Sequence, residues 1–537
     1  LTTNGRISHA AISPDGKYIV YSQQENDKSS LSVRQTNSTS GLNILTTQTG
    51  KFNGLSFSPD STRILYIIFN EQTGISTLYQ IPVLGGTPNK LLDDVDSPVT
   101  FSPDGRQFAF VRGYREKQQR ALIICNWDGT VEHELARSIS PDLFSFAGPA
   151  WSPDGKVIAT TVGTIDLGNP NMRVITVDVK DGQTDRVGSE SWSWAGQVAW
   201  LSDGNGLVLP AWHQQSPHFT DQLWYLTYPE GRVERVTNDL DKYSSISTSQ
   251  NGLILTIQTS RHSKLSITPN STNNREVEIN TGFGDNYSEM FGISWLPNGN
   301  IVYGGNASGN VDLWVINRES KEQRQLTTDP SADLSPATSP DGSYIVFYSF
   351  KAKIPHIWRM DTDGNNLRQL TNGSGETLPN LSPDGKWVVY TALNQGRSSI
   401  WKISIEGGEP VQLTDYDSFH PVISPDGNRI AFYMFDRATR QRKIAIMAFQ
   451  GNEPQTIINE PITAGYGFSW SADNSSLIYT VNQNGTTNLW SQPISGGPPQ
   501  QLSHYPTDQI FRFARSYDGQ LWACERGVTV SDLVLIR

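Results

Sequence analysis

Twelve recurring turns, ten of them bearing aspartate, are the first places in this chain where chemistry could reside. Ser-Pro-Asp-Gly, or a worn form of it, puts Asp15, Asp60, Asp104, Asp154, Asp203, Asn251, Asn298, Asp341, Asp384, Asp426, Asp473 and Asp518 at spacings of 42 to 50 residues. Rows of carboxylates can serve as acid–base groups or metal ligands. Here each sits alone in its own repeat, so the row cannot converge on one substrate. The motif has a turn logic instead: Pro presets φ, Asp bonds back to the backbone, and Gly takes the left-handed corner. Histidine is the next candidate. His9 and His420 both stand six residues before the signature aspartate, and the other six histidines are scattered. Two histidines in different halves of the chain fall short of a metal ligand set. Asp93, Asp94 and Asp96, and Asp239 with Asp241, are weak calcium candidates. Asp361-Thr362-Asp363-Gly364-Asn365 begins like a calcium loop but lacks its closing Glu, and reads as a hairpin. No cofactor is expected beyond a structural calcium. No Gly-x-Ser-x-Gly elbow and no α/β domain are present, which argues against acyl transfer.

The elements that carry these turns are strands. Around Asp384, Leu378–Leu381, Trp387–Thr391, Ser399–Ile403 and Pro410–Thr414 read as four strands separated by turns. Four antiparallel strands in this span make one propeller blade. The second strand is apolar on both faces, as a strand covered by neighbouring blades should be. Third strands repeat an apolar-aromatic pair, such as Leu223-Trp224, Leu313-Trp314 and Ile400-Trp401, read as packing between blades. The period predicts a repeat architecture. The fold class is therefore all-β, with tandem β-propellers of twelve repeats.

Propellers have four to eight blades, so twelve units imply two rings. The signature is most worn at Asn251 and Asn298, and the stretch between is polar. This predicts six blades in residues 1–283 and six in 284–537, with seven plus five as the competing split. The last unit stops at its third strand, Leu533–Ile536, while Leu1-Thr2-Thr3 matches the close of a fourth strand, as in Leu326-Thr327-Thr328. A strand from upstream of Leu1 is thus expected to complete the last blade. The start at Leu1 suggests a portion of something longer.

Composition narrows the function. Charged residues are sparse at 18%, aromatics make up 10%, and the net charge is −11. Without clustered Lys and Arg, a nucleic-acid partner is not expected. No run of 18 apolar residues exists, so a membrane link would need an N-terminal segment outside this chain. Cys125 and Cys524 lie in distant units and read as free thiols.

On the twelve spaced signatures, the chain resembles the TolB-type β-propeller repeat family, related to WD-repeat propellers, over its full length. Segments such as Leu78-Tyr79-Gln80-Ile81-Pro82-Val83-Leu84-Gly85-Gly86 also resemble the propeller regions of acidobacterial membrane proteins. In those proteins a cytoplasmic Ser/Thr kinase or winged-helix domain is joined through a membrane helix to an extracytoplasmic propeller. The resemblance implies a periplasmic or extracellular location, membrane tethering and a protein or peptide partner. Prolyl-oligopeptidase-like peptidases carry such propellers too, but their catalytic half is missing here.

Aromatic and charged residues just before the innermost strands should ring the channel mouths, where they suit partner binding. They are Phe144, Phe146, Trp192, Trp194, Phe291, Phe419, Tyr466, Phe468, Phe511 and Arg512, with His9 and His420. Trp192 and Trp194 stand out, because residues two apart on a strand share one face. The expected function is a non-catalytic extracytoplasmic binding or sensing module. The alternatives are a structural subunit of a multiprotein complex and a channel-site lyase or hydrolase.

Overall fold

The computed structural model describes residues 6–537 apart from 26–27, 39, 48–49, 71–72, 115–116, 165–170, 214–220, 240, 270–276, 280–291, 353, 395–396, 437–440, 452, 460–463 and 484, with backbone only at 25, 394, 436, 441, 459 and 464–466. Among these residues there is no α-helix. The strands form ten sheets: eight of four strands, one of ten and one of five. The ten-stranded sheet is two successive blades linked by one pairing, Met172 with Trp192. The chain is a tandem β-propeller protein built from four-stranded antiparallel blades.

The recurring turn forms as its residues dictate. Ser13 Oγ donates to Asp15 Oδ1 at 2.6 Å, and the same carboxylate accepts the Lys17 N–H at 3.1 Å. The Ser13 hydroxyl in turn accepts the Tyr18 N–H at 2.9 Å. Gly16 closes the turn at φ 71°, a conformation that costs a residue with a Cβ. The same Ser-to-Asp bond recurs at Asp60, Asp104, Asp154, Asp341, Asp384, Asp426, Asp473 and Asp518. These carboxylates are occupied by their own turns.

A second repeated device closes the outer strands. The hydroxyl of Thr237, Thr327, Thr371, Thr414 or Ser503 accepts the backbone N–H of Leu223, Leu313, Ile357, Ile400 or Leu489, at 2.8 to 3.0 Å. Neighbouring inner strands are tied in the same economical way. Trp295 Nε1 donates to the Ala514 carbonyl at 3.1 Å, and Trp470 Nε1 to that of Val422 at 3.0 Å. Among the residues of lower number, Trp200 Nε1 donates to the Ala150 carbonyl at 3.0 Å. Buried indole and hydroxyl groups need such partners.

The chain divides into two compact units, though not at residue 283. One comprises Leu1–Ser216, Thr220–Ser260 and Thr529–Arg537; the other comprises Pro217–Phe219 and Arg261–Val528. Two strands of sixteen residues, Ile254–Pro269 and Leu521–Ile536, each contribute one part to either unit. In the first unit, Thr259 hydrogen-bonds Ser531 at 2.9 Å, and Leu533 is fully buried in one core with Leu255 and Ile257. In the second, Ser263 donates to Glu525 at 2.7 Å, and Leu265, Ile267 and Ile279 share a core with Ala523. The expected cut at residue 283 gives way to a division between Ser260 and Arg261, with the first unit taking Thr529–Arg537 from the far end of the sequence.

The expected donor strand is corrected for the same reason. The sheet holding Gln509–Arg515 and the first part of Leu521–Ile536 is completed by residues 261–269 and Val277–Ile279, not by chain upstream of Leu1. Leu1-Thr2-Thr3 lies outside the described residues.

Candidate site in the channel of the second unit

A cavity of about 540 Å³ opens in the second unit, and every inner strand of that unit contributes to its wall. The six segments are Ile293–Trp295, Asp333–Thr338, Glu376–Leu381, Ser418–Ile423, Ala464–Trp470 and Gln509–Arg515. One end of the cavity is lined by turn residues Pro340, Pro383, Pro425 and Ala472. Its volume suits a small guest or part of a larger one.

The wall follows a counting rule. The residue six before each signature position lines the cavity: Gly292, Ser335, Leu378, His420, Gly467 and Arg512. Five of the six inner strands carry a register shift at this level, between Leu334 and Ala337, Thr377 and Asn380, Phe419 and Val422, Ala464 and Phe468, and Ile510 and Arg512. Such bulges re-aim side chains. Three residues in them hold left-handed backbones despite having side chains: Ser335 at φ 48°, Leu378 at 52° and His420 at 57°. Each precedes a proline. Strain of this kind concentrates at sites where a side chain must point one way.

His420 is half-buried, with ring centroids 5.8 Å from Tyr433 and 5.6 Å from Phe468. Burial, helped by the charge of Arg442, pushes its pKa down to about 4, so the ring is neutral at pH 7. Arg512 is 7% exposed and paired with Glu525 at 2.5 Å, a carboxylate that also accepts from Ser263. Arg515 lines the same cavity and donates to the Gly519 carbonyl at 2.9 Å. No Asp or Glu is among the described residues lining the cavity.

Of the expected site residues, this cavity gathers His420, Phe468 and Arg512. Tyr466 has its side chain, and Phe291 the whole residue, outside the described residues. Phe511 sits in the bulge, half-buried, with the Arg261 guanidinium 3.8 Å from its ring centroid. Phe419 packs on Tyr433 at 5.3 Å.

The remaining candidates lie in the first unit. Phe144 is 2% exposed and Trp192 fully buried, so both are core rather than rim. Phe146 is half-buried under the Arg120 guanidinium, 3.8 Å from its ring centroid. Trp192 and Trp194 do not share a face. They pair with the consecutive residues His213 and Trp212 because Ser193 bulges out between them. Consecutive partners face opposite ways, so one tryptophan enters the blade core while the other covers Gly196 and Pro210. His9 is half-buried, its pKa pushed down to about 4 by burial.

Two of the calcium candidates have partners within the protein. Asp93 accepts from Lys90 and Thr77, both at 2.7 Å, while Asp96 accepts the Gly113 N–H at 2.9 Å. Asp94 stands in a left-handed turn at φ 56°. Among the described residues no group of three His, Cys, Asp or Glu side chains is placed to hold a metal ion. No helix among them is long and apolar enough to cross a membrane.

Comparison with known proteins agrees with the repeat reading. Residues 288–420 and 360–524 match the TolB beta propeller domain family. Two curated relatives, both Tol-Pal system protein TolB, are similar over 89 residues: 29% identical in Polaromonas sp. and 30% in Albidiferax ferrireducens. Each match covers 17% of this chain and 21% of the relative's own length. The crystal structure of TolB from Acinetobacter baumannii is similar at a TM-score of 0.36 and 13% identity, over 73% of this chain and 82% of that one.

Proposed function

Because residues 288–420 and 360–524 match the TolB beta propeller domain family, we propose that this chain is a non-catalytic binding module acting outside the cytoplasm, with the channel of its second unit as the binding site. One observation carries the reading: six equivalent positions line a single cavity, and three of them are held there by strained backbones. Function resides in sites rather than folds. The groups in this one are a neutral imidazole, a paired guanidinium, hydroxyls and prolines, which suit recognition. A protein or peptide partner fits a wall that is half apolar and half hydrogen-bonding.

Affinity capture from bacterial envelope extracts tests the proposal. A specific partner should be retained by wild type and by Trp127→Ala, an exposed residue of the first unit, and lost by Leu378→Ala/His420→Ala. A partner kept by the double variant and lost by Trp127→Ala would refute the assignment. Metal-dependent turnover of a polyuronide abolished by His420→Ala would refute the non-catalytic reading.

A further inference from the structure

The inner strands line the cavity of the second unit in tiers. Two residues closer to the signature turns than the ring containing Leu378 and His420 stand Ser294, Ala337, Asn380, Val422, Ser469 and Ala514, all in the wall. None of these is aromatic or charged, so little side-chain bulk enters the middle of the channel. The last tier is the second position of the turns themselves. Four of the six turns carry proline there, Pro297, Pro340, Pro383 and Pro425; the fifth carries Ala472 and the sixth Tyr517. Proline suits that corner because its ring presets φ. Tyr517 forgoes that advantage, and it lines the cavity.

The tyrosine reaches well beyond its own turn. Its strand, Gln509–Arg515, is tied to Ile293–Trp295 by the bond from Trp295 Nε1 to the Ala514 carbonyl. That strand is tied in turn to Asp333–Thr338 by the bond from Thr338 Oγ1 to the Trp295 carbonyl at 2.5 Å. The Tyr517 hydroxyl donates to the Thr338 carbonyl at 2.7 Å. Its side chain therefore passes over one whole inner strand to reach the strand beyond. Tyr517 is 49% exposed, yet burial raises the pKa of its hydroxyl. One side of the residue meets solvent while its hydroxyl end is enclosed, as expected of a plate between the channel and the outside.

Resting on the binding-module reading above, we propose that Tyr517 is the floor of this channel, closing the turn end so that the site is a one-ended pocket. A guest enters end-on past Leu378 and His420 and stops at the phenol ring. Such a pocket takes the end of a chain or one projecting side chain, and not a strand threaded through both openings.

Thiol labelling of the whole chain tests this with no partner present. Cys125 and Cys524 are fully buried, which keeps the background low. With a bulky maleimide, Val422→Cys in the middle tier should react more slowly than Leu378→Cys in the mouth tier. Adding Tyr517→Pro, the residue of four sister turns, should speed labelling at 422 at least fivefold and leave that at 378 within twofold. Tyr517→Ala, as in the fifth turn, should do the same. The inference is overturned if both variants label 422 as slowly as wild-type Tyr517 does, if 378 speeds up as much as 422, or if 422 already matches 378 with Tyr517 in place. Such a failure, with envelope partners still lost on Leu378→Ala/His420→Ala, would remove the floor and leave the module reading standing.

Discussion

Nδ1 of His356 lies 2.6 Å from a carboxylate oxygen of Glu376, and both side chains are almost wholly buried. The same oxygen accepts from Thr371 at 2.8 Å, and Thr371 itself accepts the Ile357 N–H at 2.9 Å. One three-residue cluster thus ties the third and fourth strands of one blade to the first strand of the next. Leaving a buried polar group without its partner costs about 1–3 kcal/mol. His356→Ala should lower the melting temperature by that equivalent, whereas His356→Phe/Glu376→Leu should cost less than the sum of its single changes. Additive losses in a double-mutant cycle would contradict the cluster.

Acid stability should depend on the turn aspartates. Hydrogen bonds from Ser152 and Ser471, with bonds from Lys156 and Ser475, bring the pKa values of Asp154 and Asp473 down to about 2. An unfolded aspartate titrates near 3.9. A folded pKa below the unfolded one adds stability that is present above about pH 4 and is lost as pH falls toward 2. Ser152→Ala/Ser471→Ala should therefore flatten the melting-temperature profile between pH 4 and about 2. An unchanged acid limb would show that these turns contribute nothing.

Burial acts in the opposite sense at Asp333, raising its pKa to about 6 although Lys351 lies 2.8 Å away. Here the folded state binds more protons than the unfolded one between about pH 4 and 6, so stability falls as pH rises through that window. Asp333→Asn should remove this decline. A variant with the same slope as wild type over pH 4–6 would assign the decline to other groups.

The backbone strain at Leu378 is measurable without any ligand. A left-handed conformation costs a residue with a side chain about 1–2 kcal/mol, and glycine's entropic cost is about 0.5–1 kcal/mol. Leu378→Gly should melt at or above wild type, and Leu378→Val, branched at Cβ, clearly below it. The reverse order would mean that the residue is unstrained.

Strand sharing between the units predicts that the chain's last nine residues hold the first unit together. Leu533 is fully buried beside Leu255 and Ile257, and truncating such a side chain costs about 2–5 kcal/mol. Leu533→Ala should destabilise the first unit by that amount, and deletion of 529–537 by more. Hydrogen exchange should report the loss at Ile254–Ser260. An unaffected exchange rate there would refute the shared-strand closure.

Much of this was legible in the sequence. Ser-Pro-Asp-Gly spacing gave the blades, because turn chemistry is local. Counting six residues back from the signature, which singled out His9 and His420, would also have found Leu378 and Ser335 had it been applied to every repeat. The Trp192–Trp194 pair misled because a one-residue bulge at Ser193 cancels strand alternation, and no residue type announces a bulge. The unit boundary was hidden for a different reason. Residues 254–269 and 521–536 each read as ordinary strand, and only their long-range partnerships reveal that each serves two units.

The central claim is that the channel of the second unit is where the partner binds. Site-specific photo-crosslinking tests it most directly, with a benzoyl-phenylalanine placed at Leu378 in the channel or at Leu367, an exposed residue of the same unit. In envelope extracts the account predicts one discrete adduct from position 378, competed away by unlabelled protein, and none from 367. A competed adduct from 367 with none from 378 would contradict it.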